Sequence, residues 1–258
     1  MDLTVKDLQK RKLKKCYLML QIISKELKMR IEGNIVEKKI IFLYGTDTSA
    51  RRTVLGIVIE EPENNRFWLD LFQNLKGRGV EEILYLVTEK SKNIERCSKI
   101  IYNNICIIEE MNQFINKVYM YCPYAIAHKV ATNLKDIFLL ENIDMFYEEL
   151  KIFKETYSEL SILQIVLENK LDSIQKFYKY DVIYRKLFFP RYCIRDIQKE
   201  INKLSTKDIL CVSIDDVINN LLSLVETFEK GTSHSKSEWN MILKQIYIEN
   251  LGKLEQYL

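Results

Sequence analysis

The apolar positions change their period partway along the chain, and that change divides it into two kinds of structure. Residues 17–23, YLMLQII, form a continuous apolar run that suits a buried strand. ELKMRIEG then alternates at period two through Leu27, Met29 and Ile31, as a strand with one wet face does. Gly33-Asn34 is a turn signal, KKIIFLYG reads as a third strand, and Thr53–Ile59 as a fourth after a polar link. Consecutive strands joined by short turns predict an antiparallel meander. Pro62 opens a predicted helix through Leu75, with Phe67, Leu71, Phe72 and Leu75 on one face and Gly77 and Gly79 ending it. EILYLVT is too short and too β-branched for a helix. It predicts a strand that joins the sheet in parallel after the crossover. A helix over Asn93–Tyr102 and a short strand over Ile105–Ile108 complete an α/β unit. From Met111 to Leu258 nearly every apolar spacing is helical, as at Ile162, Leu163, Val166 and Leu167.

Composition narrows the class without naming a function. A 47% hydrophobic content with 11% aromatics over 258 residues supports a packed interior and excludes a disordered chain. Only 7 Gly and 3 Pro leave few breaks, which favours long helices over an all-β protein. No apolar run is long enough for a membrane span, and the start MDLTVKDLQKRKLKK lacks the apolar segment of a secretory signal, so a cytoplasmic location is expected. Residues 1–15 read as a basic, solvated leader. The six cysteines form no CxxC pair, and reduced, mostly buried thiols are expected. A net charge of +3 says little about partners, because nucleic-acid binding requires clustered charge. His128 and His234 have no Cys or His at ligand spacing, and no Gly-rich phosphate loop or Ser-His-Asp order is present.

The block from Arg52 to Thr88 is the most specific text in the chain. Its TVLGIVI, then FWLDLFQNLKGRGV, then EEILYLVT resembles the signature of mutator-type insertion-sequence transposases, in which "evLG" on a strand precedes "fWl..L..LkeRG" on a helix and a strand bearing a catalytic aspartate. The resemblance extends to LKMRIEGNIVEKKIIFLYGTD, similar to the family's "vKVRedG.v", and to WNMILKQIYI from Trp239, similar to its terminal "W...L.qLai". It implies an RNase H-like α/β core over 16–110, built of an antiparallel three-strand meander plus parallel strands. A large α-helical insertion and C-terminal helices over 111–258 would complete that core.

The resemblance also implies a mechanism: three carboxylates hold two divalent metals, and DNA is cleaved by in-line attack of water and then of a 3′ hydroxyl. Hard Mg²⁺ prefers oxygen ligands, and the two ions must clamp both the attacking and the leaving oxygen. Counted from Lys28 and Arg30, the first carboxylate falls at Ile23, or at Ser24 if the register slips by one. Neither can serve as a carboxylate ligand, and Glu26 lies on a different part of the strand pair. The second maps to Glu89, where a carboxylate survives. The third belongs to the helix that FPRYCIRDIQKEINK resembles and falls at Arg195, with Gln198 at the following asparagine. Asp196 and Glu200 flank that position, but one residue turns a helical side chain by about 100°, and a fixed cation at Arg195 repels metal. In the family's "C.vH..RN" pattern Cys106 matches and reads as a buried strand cysteine, while Glu109, Asn112 and Gln113 replace the other members.

These positions predict a transposase-like chain without nuclease activity, without bound Mg²⁺ or another cofactor, and with Glu89 as the surviving catalytic carboxylate. Lys25, Lys28 and Arg30 on the second strand, with Lys38 and Lys39 on the third, would form an edge for weak, non-specific contact with DNA phosphates. The family's end-recognising helical region precedes its core, whereas this sequence starts close to its first strand, so end recognition is expected to be missing. Three roles remain open: a DNA-binding regulator acting with an intact transposase, a protein-interaction scaffold built on the helices from Met111, or a remnant with no role. The sequence leaves the oligomeric state open.

Overall fold

Residues 16–31 contain no Gly or Pro, and they form one uninterrupted strand, β1 (Cys16–Ile31). The two strands expected on either side of Ser24 are therefore one. Nothing between them breaks the ladder, since Ser24 and Lys25 stay in register opposite Ile41 and Ile40. β2 (Asn34–Thr46) and β3 (Arg52–Glu60) continue antiparallel. The link between them is built on buried Asp47, whose Oδ1 accepts from the backbone N–H groups of Ser49 (2.8 Å) and Arg51 (3.0 Å). Helix α2 (Asn65–Gly77) then leads to β4 (Glu82–Thr88), which lies parallel to β1. Helix α3 (Lys92–Ile101) leads to β5 (Cys106–Glu109), and the sheet order is β3-β2-β1-β4-β5. The computed structural model describes residues 5–31, 34–60, 65–188, 214–230 and 236–257.

Side chains alternate across a strand, so β1, β2 and β3 of this open mixed sheet each supply two cores. Ile23, Ile40, Phe42 and Tyr44 pack with Leu221, Val225 and Phe228 of helix α10 (Ile214–Lys230). Leu20, Ile22, Ile41 and Leu43 pack with Trp68, Phe72 and Leu75 of α2 and with Ile94 and Cys97 of α3. On α2 the fully enclosed residues are Trp68 and Phe72, while Phe67 and Leu71, expected on the same face, are half-buried at its margin. Gly45 allows a close approach, because a Cβ there would lie 2.4 Å from Tyr17 Cδ1 of the buried ring.

The expected solvated leader is instead tied to the sheet. In and after helix α1 (Val5–Lys10), Leu8 and Leu13 are buried, and Lys14 Nζ reaches Asp47 Oδ2 at 2.5 Å. The apolar residues at 8 and 13 give this basic segment a face that burial stabilises more than solvation does.

The chain divides into two compact units, Met1–Ile107 with Arg191–Leu258, and Ile108–Pro190, so the second lies in sequence within the first. In the second unit, helices α4 (Met111–Tyr121), α5 (Tyr124–Phe138), α6 (Ile143–Thr156), α7 (Ser161–Glu168), α8 (Leu171–Phe177) and α9 (Val182–Phe188) follow one another. Arg185 is fully buried there. Its guanidinium donates to the carbonyls of Phe138 (2.9 Å), Leu140 (2.6 Å), Glu141 (2.7 Å) and Tyr180 (3.0 Å). Those carbonyls at and beyond the end of α5 have no partner within that helix, and the fork of Arg185 satisfies several at once. Helix α11 (Lys236–Glu249) belongs to the first unit, where Trp239 Nε1 donates to the Thr48 carbonyl at 2.8 Å.

Candidate functional site

β1 and β4 run parallel through Gln21↔Val87, and Glu89 follows directly after the end of β4. This brings its carboxylate level with the middle of β1. Ser24 Oγ donates to Glu89 Oε1 at 2.6 Å. The neighbouring Ile23 is buried with Phe42 on the opposite face of the sheet. Of the two candidate positions, Ser24 is thus the one that meets Glu89, and the period-two alternation of β1 explains why both cannot.

A third side chain reaches the same oxygen. Lys39 Nζ lies 2.9 Å from Glu89 Oε1. Hairpin register explains its position: Ser24 is opposite Ile41 and Glu26 is opposite Lys39, so Lys39 falls two residues from Ser24's partner on the same face. The Lys39 and Glu89 side chains are 21% and 32% exposed, so the pair is only partly screened by water. Charge-assisted hydrogen bonds of this kind are shorter and stronger than neutral ones. Ser24 is neutral, so the carboxylate charge of the cluster is balanced by the ammonium within it.

The other candidate positions are dispersed. Lys25, Lys28 and Arg30 lie on β1 itself rather than on a separate second strand, opposite Ile40, Glu37 and Ile35 of β2. Lys28 therefore stands across from an acidic residue, and Lys38, half-buried, stands across from Leu27. In the described registers β1 pairs with β4 only as far as Gln21, and β3 pairs with β2 only from Lys39 onward. Residues 27–31 and 34–38 therefore form a two-stranded ribbon beyond the wider sheet. Arg195, Asp196, Gln198, Glu200 and His234 lie outside the described residues. Cys106, expected to be buried, is exposed; it begins β5, which among the described residues is the outermost strand, with a neighbour on one side only. Glu109 is ion-paired with Lys170. His128 Nδ1 and the Tyr119 hydroxyl share a hydrogen bond of 3.0 Å on the surface. Among the described residues no three His, Cys, Asp or Glu side chains come together to hold a metal ion. None of the described helices is long and apolar enough to cross a membrane.

The role of Lys39 as the partner of Glu89 escaped sequence reasoning. Its position depends on two registers at once, that of the hairpin and that of the parallel β1–β4 pair, and the residues are 50 apart in the chain. The run Lys38-Lys39 is visible as charge, but nothing local says which lysine reaches a carboxylate.

Residues 1–230 match the family model described as Transposase, Mutator family. The transposase for insertion sequence element IS905 of Lactococcus lactis is 24% identical over 201 residues, which is 76% of this chain and 50% of the relative. That for ISRM3 of Rhizobium meliloti is 24% identical over 149 residues, 58% of this chain and 37% of the relative. That for IS256 in transposon Tn4001 of Staphylococcus aureus is 20% identical over 132 residues, 51% and 33% respectively. The chain thus spans half or less of the length of these curated relatives. With nearly nine-tenths of its length matched to one family model, the chain belongs to the mutator family of transposases.

Proposed function

We propose that this chain carries an RNase H-like transposase core that no longer supports two-metal DNA cleavage and retains weak, sequence-independent contact with DNA. The observation that carries the reading is the Lys39 ammonium on Glu89 Oε1, with the Ser24 hydroxyl on the same oxygen. A two-metal site needs several anionic oxygens to hold two divalent cations beside a phosphate. Here one expected ligand is a neutral hydroxyl and the surviving carboxylate already has a cation. The donor set does not fit a metal pair, and Arg195 at the third position adds a positive charge to the same reading. The RNase H-like assignment is supported by the sheet order, three antiparallel strands followed by a parallel β4. On this reading 108–190 is the helical insertion, and the protein works with DNA in the cytoplasm.

The test is a cleavage and strand-transfer assay on supercoiled plasmid and on element-end oligonucleotides with Mg²⁺ or Mn²⁺. No nicked or joined product is expected. Product that disappears in Glu89→Gln would overturn the reading. DNA affinity is expected at a Kd of about 10⁻⁴–10⁻⁶ M at physiological salt, falling steeply as salt rises. Replacing Lys25, Lys28 and Arg30 together by glutamine should weaken all sequences alike and flatten the salt slope.

One observation favours a second reading, a protein-interaction scaffold. In the helical unit Met120, Tyr124, Ile162 and Ile165 are 78%, 96%, 59% and 59% exposed, and exposed apolar side chains in quantity are a feature of interaction surfaces. Salt-insensitive, negligible DNA binding together with co-purification of a protein partner other than a transposase would favour this reading over the first.

A further inference from the structure

Among the described residues β3 ends the sheet on one side, and a free strand edge offers backbone donors and acceptors to any strand that meets it. Here side chains take up that edge. The Val54 N–H donates to Glu229 Oε1 at 2.6 Å, and the Val54 carbonyl accepts from Arg11 Nη2. Arg11 and Glu229 are themselves joined, Nη2 to Oε1 at 2.5 Å and Nη1 to Oε2 at 3.1 Å. One guanidinium–carboxylate pair therefore presents to Val54 the donor and the acceptor that a residue of an adjacent strand would present.

The next residue is closed in a different way. The β2–β3 register passes from Tyr44↔Val54 to Leu43↔Gly56, which leaves Leu55 as the extra residue of a bulge. The Leu55 carbonyl accepts from Arg78 Nη1 at 2.6 Å. Arg78 also fastens the segment that carries Arg11, donating to the carbonyls of Leu8 (2.5 Å) and Arg11 (3.1 Å). Leu8 is buried beneath the sheet among Phe42, Val54 and Leu221, which anchors the segment at its other end. The three charged residues come from after α1, after α2 and from the last turn of α10, so only the folded first unit assembles them.

We infer that Arg11 and Glu229 form a guard that closes the β3 edge to strand addition by a second copy of this chain. The complementary strand is the partner copy's own β3, RTVLGIVIE, whose β-branched run suits edge pairing. Two such edges would meet antiparallel about a two-fold axis, as self-complementary interfaces do. The Arg11 and Glu229 side chains are each 25% exposed, so the guard is accessible enough to be displaced yet held in bidentate geometry.

The experiment compares wild type with Arg11→Ala/Glu229→Ala by sedimentation equilibrium, and titrates each with a fluorescently labelled peptide of sequence RTVLGIVIE. The double variant is expected to self-associate and to bind the peptide at least about tenfold more tightly than wild type does, a difference of about 1.4 kcal/mol. Glu229→Gln, which keeps an acceptor for the Val54 N–H, is expected to stay close to wild type. A double variant with unchanged circular dichroism, wild-type association and no peptide binding overturns the inference. Hydrogen exchange on the wild type decides the matter even if the double variant fails to fold. The Val54 amide should exchange as slowly as the amides paired between β2 and β3, and rapid exchange there overturns the guard.

Discussion

Lys39 Nζ stands 2.9 Å from Glu89 Oε1, an ammonium against the carboxylate that follows β4. Removing this lysine and introducing a carboxylate at Ser24 changes the local charge by two units in favour of a cation. The Ser24→Asp/Lys39→Ala double variant is therefore expected to bind Mn²⁺ at least about tenfold more tightly than wild type, equivalent to about 1.4 kcal/mol. Titration followed by electron paramagnetic resonance would read this directly. Equal Mn²⁺ binding by both proteins would mean that the cluster is not where a cation could sit.

Trp68 is wholly enclosed between α2 and the sheet, in ring contact with Phe67 and Phe72. Truncating a large buried aromatic removes transfer energy and leaves a cavity, so Trp68→Ala is expected to lower stability by on the order of 3–5 kcal/mol. Urea denaturation checks this, and an unchanged midpoint would show that the helix is not anchored through this ring.

Arg185 holds four backbone carbonyls from a fully buried position and stacks 4.0 Å from the Tyr178 ring centroid. Arg185→Met fills much of the space but leaves those acceptors without a donor. Each unsatisfied buried acceptor costs about 1–3 kcal/mol, so a loss of at least about 3 kcal/mol is expected. Arg185→Lys keeps the charge without the planar fork and should fall between the two. Equal stability of the lysine variant and wild type would show that charge alone matters.

Burial raises the Glu82 carboxyl above the ordinary glutamate value of 4.5, while Lys253 pulls it the other way. A raised folded-state value means that its stabilising contribution is complete below 4.5 and is lost as pH rises through the folded value. Glu82→Gln removes the charge and so should be more stable than wild type at neutral pH, with the advantage vanishing on acidification below 4.5. Thermal melts across that range test the sign. A variant less stable than wild type at neutral pH would show that the Lys253 attraction outweighs burial.

The sequence by itself determined which segments became strands and helices, because those depend on local spacing. The continuous apolar run of EILYLVT, the alternation through Leu27, Met29 and Ile31, and the helical spacing beyond Met111 are each visible within about two turns of chain. It also determined that Glu89 is a carboxylate at a strand end, through the specific wording of Arg52–Thr88. The same local reading placed a break at Ser24 where β1 runs straight through, since polar residues at a strand's middle resemble a turn until a partner strand holds them in register. Only the tertiary structure decided that Ser24 rather than Ile23 meets Glu89, that Lys39 neutralises it, and that Arg11 reaches Glu229, 218 residues away. Hydrophobic period is a property of neighbouring residues. Charge pairing across strands depends on registers between distant segments, which are fixed only when the two faces of the sheet are buried together.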